Sequence, residues 1–298
     1  MMKLLAIKGG GIRGTLTAKL GERLEKRVPG WDSRVTCFAG TSTGAIIAVA
    51  RAASIPWREI RVLYQEHAAS IFARPEVAGV GAAPAARAAL GMAIQGALYS
   101  NEPLRDVLEE AFGNRTLREL KRDVLVPAIS LDVSKAGQRP RLHWFTRQRE
   151  GGLKIVDVLL AACAAPVYLP SHMGCVDAGV VMNDPSVAAL LEACGGWTRL
   201  GGEFLLGRIQ VFTLGSGRVP RPEGHLGLLA EGGLLGVVNG ALKMLGENHK
   251  VLDPKIDGEI ELDGGGEPEE AVQELLEIGR EAKILKSVDW LEEHGWGA

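Results

Sequence analysis

A glycine-rich turn near the start of the chain, in the stretch LLAIKGGGIRGTL at residues 4–16, restricts the fold more than any other feature of the sequence. The apolar run at residues 4–7 predicts a short buried strand, and leucines at four-residue steps in residues 15–27 predict an amphipathic helix after the turn. A strand that enters a helix through a tight turn is half of a βαβ unit. The chain is therefore expected to build a sheet of parallel strands.

The rest of the chain repeats this alternation of strand-like and helix-like segments. Strands are predicted over residues 4–7, 35–39, 124–133, 142–145, 175–181 and 209–214, and helices over residues 15–27, 43–53, 57–72, 104–112, 117–122, 155–165, 185–194 and 268–291. The third and fourth strands are expected to form a hairpin around Ala136-Gly137. The pattern predicts an α/β fold in three layers (α/β/α), with a mostly parallel central sheet flanked by helices on both faces.

A second glycine motif, GTSTG at residues 40–44, has the form G-x-S-x-G with Ser42 at its centre. A predicted strand precedes the motif and a predicted helix follows it, which is the context of a nucleophile elbow. In such a turn the serine hydroxyl projects above the sheet, and Gly40 and Gly44 avoid side chains that would collide there. Ser42 is therefore a candidate nucleophile, with a plain strand-to-helix turn as the alternative.

The glycines of the first turn and the serine of the second are expected to face one crevice. Sequential strands of a parallel sheet often lie side by side, so the turns that follow them meet at its carboxyl edge. At that edge the backbone N–H groups of Gly9, Gly10 and Gly11 are placed to form an oxyanion hole for a reaction at Ser42. Arg13 is expected to support the loop and add positive potential, with a solvated charge at a helix start as its alternative role.

The same turn also fits the dinucleotide-binding fingerprint G-x-G-x-x-G, with Gly9, Gly11 and Gly14 as the three glycines. That interpretation requires an acidic residue about 20 positions further on, at the end of the second strand. Asp32 is near that position, but the sequence PGW at residues 29–31 places it in a loop before the strand. The oxyanion interpretation is therefore preferred.

A serine nucleophile needs a base, and Asp177 is the preferred candidate. It lies between Val176 and the small residues Ala178-Gly179, where poor solvation would raise its pKa and make it a better base. A helix-cap or turn aspartate is the alternative. Asp184 fits a capping role better, because it directly precedes a proline at the start of a predicted helix.

Histidine offers a second kind of base. A Ser–Asp–His order requires a histidine late in the chain, such as His225 or His249. Both are interpreted as exposed loop residues, since neither lies at the end of a recognisable strand. His172 precedes Asp177 in the chain and is expected at most to assist.

Four segments together resemble the patatin-like phospholipase family: GGGIRG at residues 9–14, GTSTG at 40–44, AAPVYLPSH at 164–172 and DAG at 177–179. The resemblance extends over roughly residues 4–215. It implies an α/β sandwich, a dyad of Ser42 and Asp177, and hydrolysis of fatty-acyl esters in lipids. It also implies an oxyanion hole with Gly10 and Gly11 as the leading donors and Gly9 as a further one. The supporting positions of these motifs are Arg13, Gly14, Gly40, Gly44 and Gly179.

Two positions depart from the pattern of the family. Lys8 stands where aspartate or serine is frequent, and a cation beside the glycine loop is expected to change loop pairing or head-group preference. The dyad motif is D-A-G instead of D-G-G or D-G-A, and Ala178 is small enough for activity to survive.

Composition and charge exclude several other functions. The net charge of −2, with acidic and basic residues mixed, argues against a nucleic-acid partner. No motif such as H-E-x-x-H indicates a metal site, and no cofactor is expected. Four scattered cysteines indicate free thiols in a reducing compartment. The first apolar run is too short for a signal peptide, so a cytoplasmic protein is expected.

Residues 77–98 and 226–245 are apolar, rich in small residues and nearly free of charge. Neither is a clean run of about 20 apolar residues, so a transmembrane span is not expected. They are interpreted either as packed core helices or as a cap or surface that contacts lipid, which would give transient, peripheral membrane binding.

The sequence therefore predicts a lipid acyl hydrolase of the phospholipase A type that acts on lipid at a membrane surface. Residues 4–215 are expected to form the catalytic domain, and residues 216–298 a helical extension packed on it as a cap or regulatory segment. Two alternatives remain: a Ser–Asp–His carboxylesterase of the α/β-hydrolase type, and a nucleotide-binding or regulatory module without catalysis. Activation by a ligand or partner protein is also open.

Overall fold

The structure, a computed structural model, describes residues 1–71, 97–132, 139–194, 206–218, 242–256, 260–261, 263–264 and 267–297. Its strands are β1 Met2–Ile7, β2 Cys37–Gly40, β3 Asp123–Ser130, β4 Arg141–Thr146, β5 Cys175–Asp177, β6 Ile209–Leu214 and β7 His249–Leu252. Its helices are α1 Gly14–Arg27, α2 Thr43–Ala52, α3 Trp57–Ile71, α4 Glu102–Phe112, α5 Ile155–Ala162, α6 Ser186–Ala193, α7 Pro268–Glu281 and α8 Leu285–Glu293. Short 3-10 turns follow β1 at Gly11–Arg13 and β5 at Ala178–Val180.

The strands form one sheet in the order β4-β3-β2-β1-β6-β7, with β5 paired to β3. From β3 to β7 all neighbours along this path are parallel, whereas β4 and β5 run antiparallel to β3. The predicted mostly parallel sheet is therefore confirmed. The pairing of β3 with β4 matches the predicted hairpin, but Ala136-Gly137 lies outside the described residues.

Strand β3 has different partners along its two edges. Strand β4 covers one edge, opposite residues 125–130. On the other edge β2 pairs with residues 123–125 and β5 with residues 128–130, which sets Asp177 opposite Ala128. Strand β5 therefore continues the line of β2 beyond its carboxyl end, where the GTSTG turn begins.

Both faces of the sheet are buried, because alternate side chains of the strands enter two separate apolar cores. On one face Leu5, Ile7 and Phe212 pack with side chains from α1, α2, α3, α5, α7 and α8. On the other face Leu4 and Val211 pack with side chains from α6. Helices on both faces confirm the three-layer α/β/α architecture.

Several predicted elements are shorter than expected. Strand β5 stops at Asp177, because the side chain of this residue accepts a hydrogen bond from the Gly179 N–H group and turns the chain into a 3-10 turn. The helix predicted over residues 155–165 ends at Ala162. Residues 117–122 form only a 3-10 turn, Leu117–Glu119.

The tail of the chain contributes two helices and a strand. Helix α7 ends at Glu281, where Arg23 Nη1 donates to the carbonyl oxygens of Gly279 (2.6 Å) and Ala282 (2.8 Å). These bonds satisfy carbonyl groups that a helix leaves unpaired at its end, and they dock α7 on α1. Strand β7, which the sequence analysis does not predict, extends the sheet beside β6.

The two apolar segments singled out in the sequence, 77–98 and 226–245, lie outside the described residues except for residues 97–98 and 242–245. Over the ranges that the structure does describe, no helix combines the length and the apolar character needed to cross a bilayer. All four cysteines are free, with Cys163 and Cys175 buried and Cys37 and Cys194 partly exposed.

Candidate active site

Ser42 occupies a strained turn between β2 and α2. Its backbone has φ 54° and ψ −127°, a conformation that residues with a Cβ rarely adopt. Neighbouring groups hold the turn in place: the N–H of Thr41 donates to the Ile7 carbonyl (3.2 Å), and the Thr41 hydroxyl donates to the Met182 carbonyl (3.0 Å). A strained serine in a fixed strand-to-helix turn is typical of a nucleophile elbow.

Two glycines allow this turn to pack closely. A Cβ on Gly40 would lie 2.0 Å from the carbonyl oxygen of Gly44. A Cβ on Gly44 would lie 2.3 Å from the carbonyl oxygen of Ile7, at the end of β1. Both positions therefore exclude any residue with a side chain.

Asp177 ends β5 and is buried, with 3% of its surface exposed. Its N–H group donates to the Ala164 carbonyl (2.9 Å), which ties it to the AAPVYLPSH segment. Its Oδ1 accepts a hydrogen bond from the Gly179 N–H (2.7 Å), and the Ser42 side chain lies close enough to the carboxylate to lower its pKa. The structure thus brings the candidate nucleophile and the candidate base together.

Burial raises the pKa of the Asp177 carboxyl from 3.8 to about 6, against the hydrogen bonds from Ser42 and Gly179, which favour the ionised form. A carboxyl with this pKa is ionised at neutral pH, yet it accepts a proton more readily than an exposed aspartate does. The pair therefore has both the contact and the proton affinity that a nucleophile and its base require.

The glycine loop passes beside Ser42, since a Cβ on Gly9 would lie 3.3 Å from the Ser42 Cβ. The sequence predicts Gly9 as a further oxyanion donor, and the structure corrects this. The N–H group of Gly9 donates to the Asn183 carbonyl (3.1 Å) and is therefore occupied. Within the described part of the chain, the N–H groups of Gly10 and Gly11 make no hydrogen bond, which leaves them open to a reacting oxygen.

The backbone of Met182 and Asn183 joins the parts of the site, and sequence reasoning missed this role. The Met182 carbonyl accepts the hydrogen bond from Thr41, and the Asn183 carbonyl accepts the one from Gly9. Both residues follow the turn after Asp177, so the segment that carries the candidate base also fastens the serine turn and the glycine loop. The only signal in the sequence is their proximity to the DAG motif.

Arg13 and Gly14 connect the glycine loop to α1. The N–H group of Arg13 donates to the Gly10 carbonyl (3.0 Å) and closes the 3-10 turn. A Cβ on Gly14 would lie 2.4 Å from Thr43 Oγ1 and 2.6 Å from the Tyr64 ring. Gly14 therefore permits close packing of α1 against the start of α2 and against α3.

Lys8 turns away from solvent and forms ion pairs behind the glycine loop. Its Nζ lies 3.1 Å from Asp253 Oδ2 and 3.5 Å from Asp184 Oδ2. Although burial alone would lower the pKa of the Lys8 ammonium group, the two carboxylates hold it above its ordinary value. Lys8 was expected to change either the pairing of the glycine loop or the head-group preference, and these contacts favour a role in pairing.

Asp184 was predicted to be the N-cap residue of α6, but Pro185 occupies that position and Asp184 lies one residue before it. Its Oδ1 accepts a hydrogen bond from the Ser186 N–H (2.9 Å) at the start of α6. The carboxylate therefore stabilises a helix start while it also pairs with Lys8.

Asp32 cannot serve a nucleotide ribose, because its carboxylate is fully engaged inside the protein. It accepts hydrogen bonds from Arg51 Nε (2.6 Å) and Nη2 (2.7 Å) and from Trp57 Nε1 (3.0 Å), with 3% of its surface exposed. The acidic residue that the dinucleotide interpretation required is thus part of an internal ion pair.

The histidines take other partners. His249 begins β7, which corrects its assignment to an exposed loop; its Nε2 lies 3.1 Å from Thr213 Oγ1, and burial lowers its pKa. The Nε2 of His172 lies 2.9 Å from Asp157 Oδ1. Neither ring is hydrogen-bonded to Ser42 or Asp177, and His225 lies outside the described residues.

The assembled groups suit attack on a carbonyl carbon: a hydroxyl, a carboxylate that can take its proton, and N–H groups for the oxygen that becomes negative. Among the residues that the structure describes, no group of three or more His, Cys, Asp or Glu side chains is placed to hold a metal ion. The arrangement therefore supports acyl transfer through the serine.

A family model described as "Patatin-like phospholipase" matches residues 5–190 of the chain. The matched region contains the glycine loop, the GTSTG turn and the turn after Asp177.

Curated relatives include two bacterial proteins named cGAMP-activated phospholipase. The one from Pseudomonas aeruginosa is 34% identical over 195 residues, which cover 63% of this chain and 56% of the relative. The one from Escherichia coli is 30% identical over 211 residues, which cover 64% of this chain and 55% of the relative. The chain thus spans little more than half the length of these relatives.

Among solved structures, the type III effector ExoU of Pseudomonas aeruginosa aligns with a TM-score of 0.46 at 13% identity, covering 98% of this chain and 52% of that one.

Proposed function

Because the chain belongs to the patatin-like phospholipase family, we propose that it is a lipid acyl hydrolase, which cleaves fatty-acyl ester bonds of phospholipids or related glycerolipids. The observation that carries the proposal is the proximity of Ser42 to the buried Asp177 carboxylate, whose pKa it lowers, beside the glycine loop. Ser42 is proposed as the nucleophile, Asp177 as the base, and the N–H groups of Gly10 and Gly11 as the oxyanion donors.

In the acylation half of the proposed reaction, Asp177 accepts the hydroxyl proton of Ser42 as Ser42 Oγ attacks the ester carbonyl carbon. The carbonyl oxygen becomes an oxyanion, and the N–H groups of Gly10 and Gly11 donate hydrogen bonds to it. Each such donor contributes about 3 kcal/mol to transition-state stabilisation in well-studied serine enzymes. When the tetrahedral intermediate collapses, the C–O bond to the lipid alcohol breaks and Asp177 returns the proton to the departing oxygen.

In the deacylation half, Asp177 accepts a proton from a water molecule that attacks the acyl-enzyme carbonyl. A second oxyanion forms against the same N–H groups. Its collapse breaks the bond to Ser42 Oγ, which recovers the proton from Asp177, and a free fatty acid leaves. One carboxylate thus serves as base and acid in both halves, and no histidine is required.

The wider organisation is part of the same proposal. Residues 4–215 are proposed as the catalytic domain and residues 216–298 as an extension that packs on it as a cap or regulatory segment. The ion pair between Lys8 and Asp253 and the bonds from Arg23 to the end of α7 support close packing. The protein is proposed to act in the cytoplasm on lipid at a membrane surface, to which it binds peripherally and transiently.

The experiment that tests the activity supplies a total lipid extract as liposomes to the purified protein, with mass spectrometry of the released fatty acids. We expect fatty-acid release by the wild-type protein, and flotation of a fraction of the protein with the liposomes. The Ser42→Ala variant is the matched control and should release none above background. Equal release by both proteins, with and without added cGAMP, would contradict the proposal.

Control by a ligand is proposed as a second feature, because both relatives described above are named as cGAMP-activated. The same liposome assay is run with and without cGAMP. An increase in the initial rate on addition of cGAMP supports activation, and full activity without any added ligand contradicts it.

The Ser–Asp–His alternative makes an opposite prediction for His249. Because its ring pairs with Thr213 and not with the dyad, we expect His249→Gln to keep kcat within about threefold, whereas loss of a general base costs about 10²–10⁴-fold. His225→Ala is assayed in parallel, to test whether the other late histidine acts as the base. A loss of activity in either variant with unchanged thermal stability would favour the histidine-dependent mechanism.

A further inference from the structure

Ser216 lies directly behind the glycine loop and is buried, with 2% of its surface exposed. Its hydroxyl donates a hydrogen bond of 2.6 Å to the carbonyl oxygen of Gly9. A Cβ on Gly10 would lie 2.4 Å from Ser216 Oγ and 2.7 Å from its Cβ, so the serine packs against the loop as well as bonding to it.

This hydrogen bond controls the direction of the next N–H group. The Gly9–Gly10 peptide is trans, and in a trans peptide the C=O and N–H groups point in opposite directions. With the Gly9 carbonyl turned toward Ser216, the Gly10 N–H points away from Ser216. Ser42 packs beside this peptide, since a Cβ on Gly9 would lie 3.3 Å from the Ser42 Cβ.

The peptide needs such a restraint because glycine on both sides leaves it free to rotate. If the Gly9–Gly10 peptide turned over, the Gly9 carbonyl oxygen would take the place of the Gly10 N–H and would repel a developing negative charge. The ends of the loop do not prevent this rotation. The N–H of Gly9 is fixed by the Asn183 carbonyl, and the Gly10 carbonyl is fixed by the N–H of Arg13, but neither bond involves the two groups of the Gly9–Gly10 peptide.

Ser216 is itself held by its surroundings. The next residue, Gly217, donates its N–H to Asp253 Oδ1 (3.0 Å), and Asp253 Oδ2 pairs with Lys8. The preceding Gly215 donates its N–H to the Leu252 carbonyl (2.8 Å). The position of the hydroxyl is therefore set by β6 and β7, independently of any substrate.

We propose that Ser216 is a positioning residue for the reaction at Ser42: its hydroxyl holds the Gly9–Gly10 peptide in the orientation that directs the Gly10 N–H toward the oxyanion. The proposal rests on the proposed serine-hydrolase function. It assigns Ser216 no contact with the reacting atoms, and its effect is exerted through Gly10.

The test compares Ser216→Ala with wild type for kcat and KM in fatty-acid release. Removal of an oxyanion donor costs about 10²–10³-fold in kcat. We expect a smaller fall in kcat, about 10–100-fold, because the donor is misdirected for part of the time and not deleted, and we expect KM to stay within about threefold. A wild-type kcat, or a loss that appears only as a rise in KM, would overturn the proposal.

A matched pair of variants separates the hydroxyl from packing. Ser216→Thr and Ser216→Val have nearly the same shape, but only threonine can donate to the Gly9 carbonyl. We expect kcat of the threonine variant to exceed that of the valine variant by about tenfold or more at similar melting temperatures. Equal rates for the two would overturn the proposal, even if Ser216→Ala failed to fold.

A fluorophosphonate probe tests the Ser216 proposal without any lipid. Its reaction with Ser42 places a negatively charged oxygen on phosphorus, so the labelling rate depends on the oxyanion donors and not on lipid hydrolysis. We expect labelling of the valine variant to be slower than that of the threonine variant by the same factor. If wild type labels but releases no fatty acid, the lipid proposal fails and the Ser216 proposal is still decided by the labelling rates.

Discussion

Replacement of Ser42 by alanine is expected to lower kcat for fatty-acid release by about 10⁴-fold or more, since loss of the nucleophile removes covalent catalysis and leaves only the oxyanion donors and substrate binding. Fluorophosphonate labelling should disappear at the same time. The alanine variant should bind liposomes as the wild type does, because the change removes one oxygen atom. Residual turnover within tenfold of wild type would rule out Ser42 as the nucleophile.

A matched serine elsewhere controls for the substitution itself. Ser70 lies exposed on α3, where its hydroxyl donates to the His67 carbonyl of the same helix, and Ser70→Ala should keep full activity. The backbone of Ser42 supplies a second readout. Because φ 54° suits glycine, Ser42→Gly should be more stable to unfolding than Ser42→Ala by about 1 kcal/mol, while both are inactive.

Replacement of Asp177 by asparagine is expected to lower kcat by about 10²–10⁴-fold, because an amide of nearly the same shape cannot accept the Ser42 proton. In the wild-type protein, kcat should rise with pH through about 6 and then level off, as the carboxylate becomes ionised. The residual activity of the variant should lack this inflection. A wild-type profile that is flat between pH 5 and pH 8 would contradict the role of Asp177 as the base.

Ionisation of the same carboxyl is expected to raise kcat but to lower the free energy of unfolding. Its pKa is about 6 in the folded state against 3.8 as its ordinary value, so the folded protein binds the proton more tightly than the unfolded chain does. Stability from this group is therefore present below pH 4 and is lost as the pH rises to 6 and above. The loss is about 3 kcal/mol for a shift of this size, and we expect Asp177→Asn to be more stable than wild type at pH 8 by up to that amount. Asp106→Asn, at an exposed position on α4, is the control and should change neither activity nor stability.

The sequence was sufficient for the features that are local. The glycine turn, the GTSTG turn and the alternation of strands and helices follow from contacts between residues close in the chain, and the structure contains them within a few residues of the predicted limits. Strand β7 was missed because HKVL is short and carries a histidine and a lysine. It becomes a strand only by pairing with β6.

The details of the candidate site depended on contacts between distant residues. From the sequence alone, the N–H group of Gly9 is expected to donate to the oxyanion. In the fold it donates instead to the carbonyl of Asn183, which is distant in the sequence. Ser216 belongs to no motif that a single sequence could reveal, although its hydroxyl donates to a carbonyl of the glycine loop. Hydrophobic periodicity predicts which faces are buried, but it carries no information about which polar group meets which.

The carbonyl groups of Met182 and Asn183 join parts of the proposed site that are synthesised at different times. The serine turn and the glycine loop leave the ribosome early, whereas the carboxylate and the two carbonyl groups that hold these turns together emerge much later. A nascent chain that ends before residue 177 therefore contains Ser42 but lacks the carboxylate proposed as its base. The proposed site is therefore incomplete until the segment from β5 to Ser216 has been synthesised and has packed against both turns.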